Sequence, residues 1–238
     1  MEGLFSICVY ELIVTSLIRE ILSTTMRTSS LWGPPPSRYY RFIRRVESDF
    51  PSQPLRVAIL GCSDGKFVLP AARRGHHVLA IDIDEVALFG GLKVGPAGDV
   101  RMLGLRERLV VEDLSHLVTL VHEDFIEYRP TRGFHAVFTS GAVQYSRNLK
   151  YRFEEIVKRL KSFVIHQGYI YVDYMLPMNE EQKGRSNFPS KAAWSSLFDV
   201  KGWQVIHNRV LPPMFESAHV DNPVDHYHHW GHLLAQKI

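Results

Sequence analysis

The stretch of residues 56–84, RVAILGCSDGKFVLPAARRGHHVLAIDID, constrains the fold of this chain more than any other. Its first apolar run, residues 57–60, predicts a strand buried on both faces. A turn at residues 61–65 follows, in which two glycines permit unusual backbone angles and a close approach to a ligand. After an apolar helical segment, a second apolar run ends at Asp82. The stretch therefore predicts a β-α-β unit that binds a nucleoside-like ligand at the carboxyl ends of its strands.

The spacing of small residues in this turn narrows the choice of ligand. A dinucleotide fingerprint requires three glycines in the pattern G-x-G-x-x-G, whereas this chain has glycine at 61 and 65 with Ser63 between them. An acid at Asp82 can accept hydrogen bonds from both hydroxyls of a ribose. LGCSDG and AIDID resemble the first and second motifs of class I S-adenosylmethionine-dependent methyltransferases. The chain departs from that family at Ile59, where an acid is common, and at Ser63, where glycine is favoured; a generic doubly wound fold is the alternative.

The resemblance implies an α/β fold of the Rossmann-like class I methyltransferase type. Its seven-stranded, mostly parallel sheet would carry a C-terminal antiparallel strand and an N-terminal helical lid. Residues 1–50 are expected to form the helical cap and residues 51–238 the S-adenosylmethionine-binding part of the same domain. Apolar runs at residues 203–210 and 229–236 match the strand pair that closes such a sheet.

Local patterns add three helices to this outline. Residues 1–25 have the pattern of an amphipathic helix that packs on the domain. Ser37 is a plausible N-cap for a second helix at residues 38–50. A short helix is predicted at residues 99–109, before a third strand at residues 117–121.

The resemblance also assigns residues to S-adenosyl-L-methionine. Asp82 would bind the ribose, and Asp124, just after the third strand, would contact the adenine amino group with Phe125 beside it. Asp124 fits equally well as the N-cap of a helix at residues 126–128. The full set of expected cofactor-binding residues is Gly61, Cys62, Ser63, Gly65, Asp82, Ile83, Asp124, Phe125 and Ser140.

Candidate catalytic residues are Tyr174, Gln144 and Tyr39. Tyrosines 39, 40, 145, 171 and 174 could surround a sulfonium through cation–π contacts, although packing in the sheet explains them as well. Gln144 stands where many family members carry a histidine-bearing segment. Trp32, Tyr39 and Tyr40 are candidate lid residues. Asp173 and His166 lie near the fifth predicted strand, but neither is an evident general base.

Composition excludes several classes of function. The net charge of the 238 residues is only +3, which argues against a nucleic-acid binder. Two cysteines, Cys8 and Cys62, are too few for a disulfide framework or a zinc ribbon, so a reducing, cytoplasmic compartment is expected. Charged residues interrupt the apolar stretch 3–22, so no membrane span is expected.

Four histidines between residues 226 and 232 match no strong zinc signature, and no metal site is predicted from them. The leading interpretation is a methyltransferase that acts on a small molecule in an enclosed site, as in small-molecule biosynthesis. Two alternatives stay open. One is an enzyme that cyclises S-adenosylmethionine to azetidine-2-carboxylate and methylthioadenosine, and the other is an inactive binding module. The sequence leaves the oligomeric state open.

Overall fold

A computed structural model describes residues 29–145, 150–180 and 188–238. The expected N-terminal helix at residues 1–25 lies outside these residues, as does Cys8. In the part of the chain that the structure describes, no helix has the length and apolarity needed to cross a bilayer.

The described strands are numbered in chain order. They are β1 Arg56–Leu60, β2 His77–Asp82, β3 Gly91–Lys93, β4 Val100–Met102, β5 Val118–His122, β6 Phe134–Ser140, β7 Val164–Leu176, β8 Trp203–Val210, β9 Met214–Glu216 and β10 His226–Lys237. The helices are α1 Ser37–Asp49, α2 Val68–Ala72, α3 Glu85–Phe89, α4 Leu105–Val111, α5 Ala142–Tyr145, α6 Phe153–Ser162 and α7 Lys191–Phe198, with a 3-10 turn at Ser115–Leu117.

Seven strands form the central sheet in the order β5-β2-β1-β6-β7-β10-β8. The pairs β2–β5, β1–β2, β1–β6 and β6–β7 are parallel, whereas β10 runs antiparallel to both β7 and β8. The predicted mostly parallel sheet with an antiparallel strand near the C-terminus is confirmed. An eighth strand, β9, pairs with the first residues of β10.

The strand order reverses its direction at β1, because the chain builds outward to β2 and β5 and then returns to β6 on the other side. Such a switch point leaves a crevice at the carboxyl ends of the strands, and open α/β sheets bind ligands there. That crevice lies at the edge of the sheet that carries the glycine turn.

Two apolar clusters cover the two faces of the sheet. Helix α1 packs on one face, where the ring of Phe42 lies 5.4 Å from that of Tyr171 and 6.1 Å from that of Phe138. Helices α6 and α7 cover the other face with Leu160 and Trp194, both fully buried. Helix α1, which lies within the residues expected to form the cap, is therefore packed into this core.

Two local predictions were wrong. Ser37 does not cap α1: the helix begins after Pro36, whose carbonyl accepts from the Tyr39 amide at 2.9 Å, and the Ser37 hydroxyl instead accepts from Arg41. The helix predicted at 99–109 is divided into strand β4 and helix α4. The break falls at Gly104, whose backbone is extended with a ψ of 165° and which lies so close to Gly90 that a Cβ would be 2.1 Å from the nitrogen of that residue.

Candidate functional site

The glycine turn at residues 61–65 follows β1 and is held against β2. The amides of Gly61 and Cys62 both donate to the Ile81 carbonyl, at 2.9 and 3.0 Å. Gly61 has a φ of 72°, and a Cβ there would lie 2.2 Å from the Cβ of Ala142 in α5. Only glycine fits this position. The turn therefore lies between the end of β2 and helix α5, which follows β6.

Asp82 lies at the carboxyl end of β2 and faces this turn. Its Oδ2 accepts from the Ser63 amide at 2.6 Å, and its Oδ1 accepts from the Asp84 amide at 2.9 Å. Burial raises the pKa of Asp82, and these two backbone hydrogen bonds oppose that rise. Each carboxylate oxygen can accept a further hydrogen bond, so the pair of oxygens suits two neighbouring hydroxyls of a ligand.

Apolar and polar groups around Asp82 extend the candidate site. Ile83 is 57% exposed, which is unusual for isoleucine and gives an apolar surface next to the acid. Asp124 accepts from the Ile126 amide at 2.9 Å, so the predicted capping contact exists, but in a turn rather than a helix. Phe125 is buried in the core, and Cys62 is buried too, where desolvation raises the pKa of its thiol. The expected cofactor residues thus gather at one edge of the sheet, with Phe125 and Cys62 packing beneath it.

A segment before α1, Ser30–Gly33, is clamped onto the glycine turn. The carboxylate of Asp64, which is 1% exposed, accepts from the Ser30 hydroxyl and the Leu31 amide, both at 2.7 Å. The Trp32 indole donates to the Ser63 hydroxyl at 2.9 Å. We call residues 30–33 the clamp segment, because it holds an aromatic ring against the turn.

Two cations complete this anchorage. Arg108 of α4 donates to the Asp64 carbonyl and lies 3.5 Å from its carboxylate. Lys66 donates to the Trp32 carbonyl at 2.7 Å. The turn is thereby fixed from the clamp segment and from α4 at once. The sequence analysis missed Asp64 and Arg108, although an acid within the turn itself was a visible signal.

A buried ion pair lies beneath the same edge. Arg38 of α1 contacts Asp173 of β7 at 3.1 Å, and the Ser140 hydroxyl donates to the same carboxylate at 3.3 Å. Burial raises the pKa of Asp173, and Arg38 opposes that rise. Burial also lowers the pKa of Lys66, with Arg38 adding to the effect, so positive charge is crowded here.

Of the tyrosines that could have formed a cation–π cage, Tyr39, Tyr171 and Tyr174 do not converge on one point. Tyr39 is fully buried and donates to the Phe67 carbonyl at 2.5 Å. Tyr171 stacks on Phe138 on the same face of the sheet, whereas Tyr174 belongs to the cluster on the opposite face. Side chains on opposite faces of a sheet cannot converge on one methyl group.

Tyr174 itself has the contacts of a packing residue. Its ring stacks on Trp194 of α7 with centroids 5.2 Å apart, and its hydroxyl donates to Asn208 at 2.5 Å. Burial raises its pKa to about 12. The side chain of Gln144 lies outside the described residues, so its assignment stays a prediction, and the contacts of Tyr39 and Tyr174 support the packing interpretation.

Neither His166 nor Asp173 is placed as a free general base beside the glycine turn. His166 lies near the start of β7, and parallel strands place that end at the edge opposite the glycine turn. Asp173 is near the correct edge but is held by Arg38.

The C-terminal part adds a cavity beside the clamp segment. It measures about 400 Å³, and its lining includes Trp32, Val100, Glu216, His219 and Val220. The rings of Trp32 and His219 lie 5.5 Å apart, edge to face. Since Trp32 also contacts Ser63 of the glycine turn, the cavity adjoins the candidate cofactor site.

The histidines near the C-terminus do not act as one group. His226 and His228 lie together with Glu216, a residue that the sequence analysis did not connect with them. His232 lies further along β10, where the Tyr171 hydroxyl is 3.0 Å from its Nδ1. The signal for Glu216 was weak, because it lies ten residues before His226 and on another strand.

Comparison of the sequence with protein-family models gives no match, and comparison with curated proteins gives none either. Comparison with solved structures gives clear matches. TehB from Haemophilus influenzae superposes with a TM-score of 0.57 at 15% identity over 82% of this chain; the chain spans only 62% of TehB.

This chain spans a larger share of two further solved structures. The 1,6-didemethyltoxoflavin-N1-methyltransferase of Burkholderia thailandensis matches with a TM-score of 0.55 and 12% identity, over 84% of this chain and 77% of that one. The N-methyltransferase NodS of Bradyrhizobium japonicum WM9 matches with a TM-score of 0.53 and 10% identity, over 84% of this chain and 94% of that one. At such identities the likeness establishes the fold alone, and this chain has the Rossmann-like fold of the class I methyltransferases.

Proposed function

We propose that this protein is an S-adenosylmethionine-dependent methyltransferase that acts on a small molecule. The observation that carries the proposal is the pairing of Asp82 with the glycine turn. The carboxylate accepts from the Ser63 amide at 2.6 Å and keeps acceptor capacity on both oxygens, at the switch point of the sheet. A ribose with two neighbouring hydroxyls matches this arrangement.

The described residues fit the parts of the cofactor. Asp82 would accept from the ribose hydroxyls, and exposed Ile83 would lie against the adenine ring. The glycine turn would approach the methionine moiety with its backbone. Glycine at 61 and 65 lets the turn pack against Ala142 and Leu105, which a Cβ would meet at 2.2 and 2.5 Å. S-adenosylmethionine supplies the electrophilic methyl group, so the protein has mainly to align an acceptor and exclude water.

The cavity beside the clamp segment supports a small acceptor. Its volume of about 400 Å³ lies in the range of pockets that hold small ligands. Trp32 belongs both to this cavity and to the wall of the glycine turn. The similar structures include a methyltransferase crystallised with bound 1,6-didemethyltoxoflavin, a small molecule, and S-adenosylhomocysteine.

Isothermal titration calorimetry with S-adenosylhomocysteine tests the cofactor assignment. Asp82→Asn should weaken binding at least about tenfold, since a hydrogen bond to a charged group contributes roughly 1.5–3 kcal/mol. Glu85→Gln is the matched control, because this exposed acid in the first turn of α3 should bind the ligand like the wild type. Equal affinity of wild type and Asp82→Asn would contradict the ribose assignment, and absence of binding by the wild type would contradict the proposed function.

A further inference from the structure

Strands β9 and β10 bring three potential metal ligands onto one face. His226 pairs directly with Glu216 across the two antiparallel strands. His228 is two residues further along β10, and side chains two apart in a strand share a face. Glu216, His226 and His228 therefore converge because of their register, and not because of their spacing in the sequence.

The distances among their ligand atoms are close to those of a metal site. Nε2 of His226 lies 2.9 Å from Nε2 of His228, and Oε2 of Glu216 lies 2.7 Å from His228 and 3.5 Å from His226. An ion with bonds of about 2.0–2.1 Å in tetrahedral geometry separates its ligand atoms by roughly 3.3 Å. Changes of up to about 0.6 Å in these separations would thus allow all three atoms to bind one ion.

The hydrogen bonds of His226 fix which of its nitrogens is available. Its Nδ1 lies 2.8 Å from the Val224 carbonyl. A carbonyl oxygen only accepts, so Nδ1 must carry the proton and Nε2 of the neutral ring presents its lone pair to the cluster. Metal-binding histidines are typically oriented in this way, with the second nitrogen donating to a carbonyl or carboxylate.

His219 lies next to the cluster but is arranged differently. Its Nδ1 accepts from the Asp221 amide at 3.3 Å, so the neutral ring carries its proton on Nε2. That nitrogen lies 4.0 Å from Oε2 of Glu216. His219 is therefore placed to orient the carboxylate from outside, and not to bind an ion itself.

We propose that Glu216, His226 and His228 bind one divalent transition-metal ion, with zinc the best match. Two imidazoles and one carboxylate suit zinc and its first-row neighbours. A proton on Nε2 of His228 explains its contact with Glu216 at 2.7 Å or with His226 at 2.9 Å, but one N–H cannot point fully at both acceptors, whereas a single ion can bind all three atoms. Three protein ligands leave a coordination position open.

The proposed metal site adjoins the cavity beside the clamp segment. Glu216 and His219 line that cavity together with Trp32, whose indole bonds to Ser63. In a role that rests on the proposed function, the open position would take an anionic oxygen of the methyl acceptor. The metal site itself is independent of that function and is tested separately.

Metal content measured by mass spectrometry provides the direct test. Untagged protein is stripped with a chelator, incubated with zinc chloride and dialysed; wild type should retain about one zinc per chain. Loss of a residue that only hydrogen-bonds a metal ligand typically weakens metal binding roughly 10–100-fold. We expect a larger loss of zinc affinity from each ligand variant: Glu216→Gln, His226→Ala and His228→Ala. His219→Ala should have that smaller effect.

His229→Ala is the matched control, because His229 is on the same strand but on its other face. It should retain zinc like the wild type. Thermal unfolding of the metal-free variants checks that they fold, and Glu216→Gln, which preserves shape, carries the test if an alanine variant does not. Wild type without retained zinc, or a Glu216→Gln variant that retains it equally, would overturn the metal site.

Cobalt substitution tests the open position. Cobalt-loaded wild type should show visible absorption that changes when sodium azide is added, and an unchanged spectrum would overturn the open position. Calorimetry with S-adenosylhomocysteine in chelator is run in parallel. Binding there, without zinc retention, would overturn the metal proposal while leaving the proposed function intact.

Discussion

At the scale of single residues, the two acids of the candidate site have different tasks. Asp64 is buried, and its carboxylate is occupied by the clamp segment. Asp82 is only partly covered, and both of its oxygens keep acceptor capacity. A buried carboxylate that is fully hydrogen-bonded fixes the backbone, whereas one at an open edge can bind a ligand. Only Asp82 is therefore assigned to the ribose.

Tyr174 provides a test of packing against catalysis. Tyr174→Phe removes the hydrogen bond to Asn208 and keeps the stack on Trp194. We expect the free energy of unfolding to fall by about 1 kcal/mol and the turnover number to stay unchanged, as measured by urea unfolding and by methyl transfer. Reduced turnover at unchanged stability would instead restore the catalytic assignment.

The sequence was informative about residues whose role is local. Gly61, Gly65 and Asp82 could be assigned because their roles depend on one turn and one strand end. Tyr174 could not, because alternation along a strand shows that neighbouring positions face opposite ways but not which helix covers each face. Tyr39 could not, because the helical period shows which residues of α1 share a face but not what that face packs against. Glu216 was missed because the register of β9 with β10 depends on the whole C-terminal sheet.

At the scale of elements, the clamp segment connects the glycine turn to the cavity. Its contacts to Asp64, Ser63 and Lys66 come from three successive residues, Ser30, Leu31 and Trp32. The sequence analysis proposed Trp32 as a candidate lid residue, and the structure supplies its contacts. Residues 99–109, predicted as one helix, form strand β4 and the shorter helix α4. The division falls at Gly104, which is extended and packs closely against Gly90.

A double-mutant cycle tests this connection. Trp32→Phe and Ser63→Ala each remove one partner of the indole–hydroxyl bond. Each should weaken binding of S-adenosylhomocysteine, and the double variant should cost less than the sum, with a coupling of roughly 0.5–3 kcal/mol. Trp203→Phe, in distant β8, is the control for loss of an indole. Additive effects of the two substitutions would show that the bond does not organise the turn.

At the scale of the whole molecule, acid should destabilise the fold through His232. Burial, followed by His207 and nearby arginines, lowers the pKa of His232 from 6.5 to about 4. Between these values the unfolded chain binds more protons than the folded one, so the free energy of unfolding should fall as pH decreases from about 6.5 to about 4. His232→Leu should flatten that slope, as measured by urea unfolding across the range. The lost contact with Tyr171 changes the absolute stability but not the slope, and an equally steep slope in the variant would refute the assignment.

The architecture of the whole molecule was largely predictable. Continuous apolar runs predicted buried parallel strands, and the final runs predicted the pair that closes the sheet. The resemblance that two short motifs gave predicted a seven-stranded, mostly parallel sheet, and the structure supplies its strand order. The acceptor could not be predicted in the same way, because the cavity proposed for it combines residues from the clamp segment, the β3–β4 hairpin and the region of β9.

The central claim is methyl transfer, and one measurement tests it most directly. The purified protein is incubated with S-adenosylmethionine carrying a deuterated methyl group, together with a metabolite extract, and the products are followed by mass spectrometry. The account predicts that S-adenosylhomocysteine accumulates in equal amount with a deuteromethylated small molecule, and that Asp82→Asn slows both. Methylthioadenosine in place of S-adenosylhomocysteine, or unconverted S-adenosylmethionine, would contradict it.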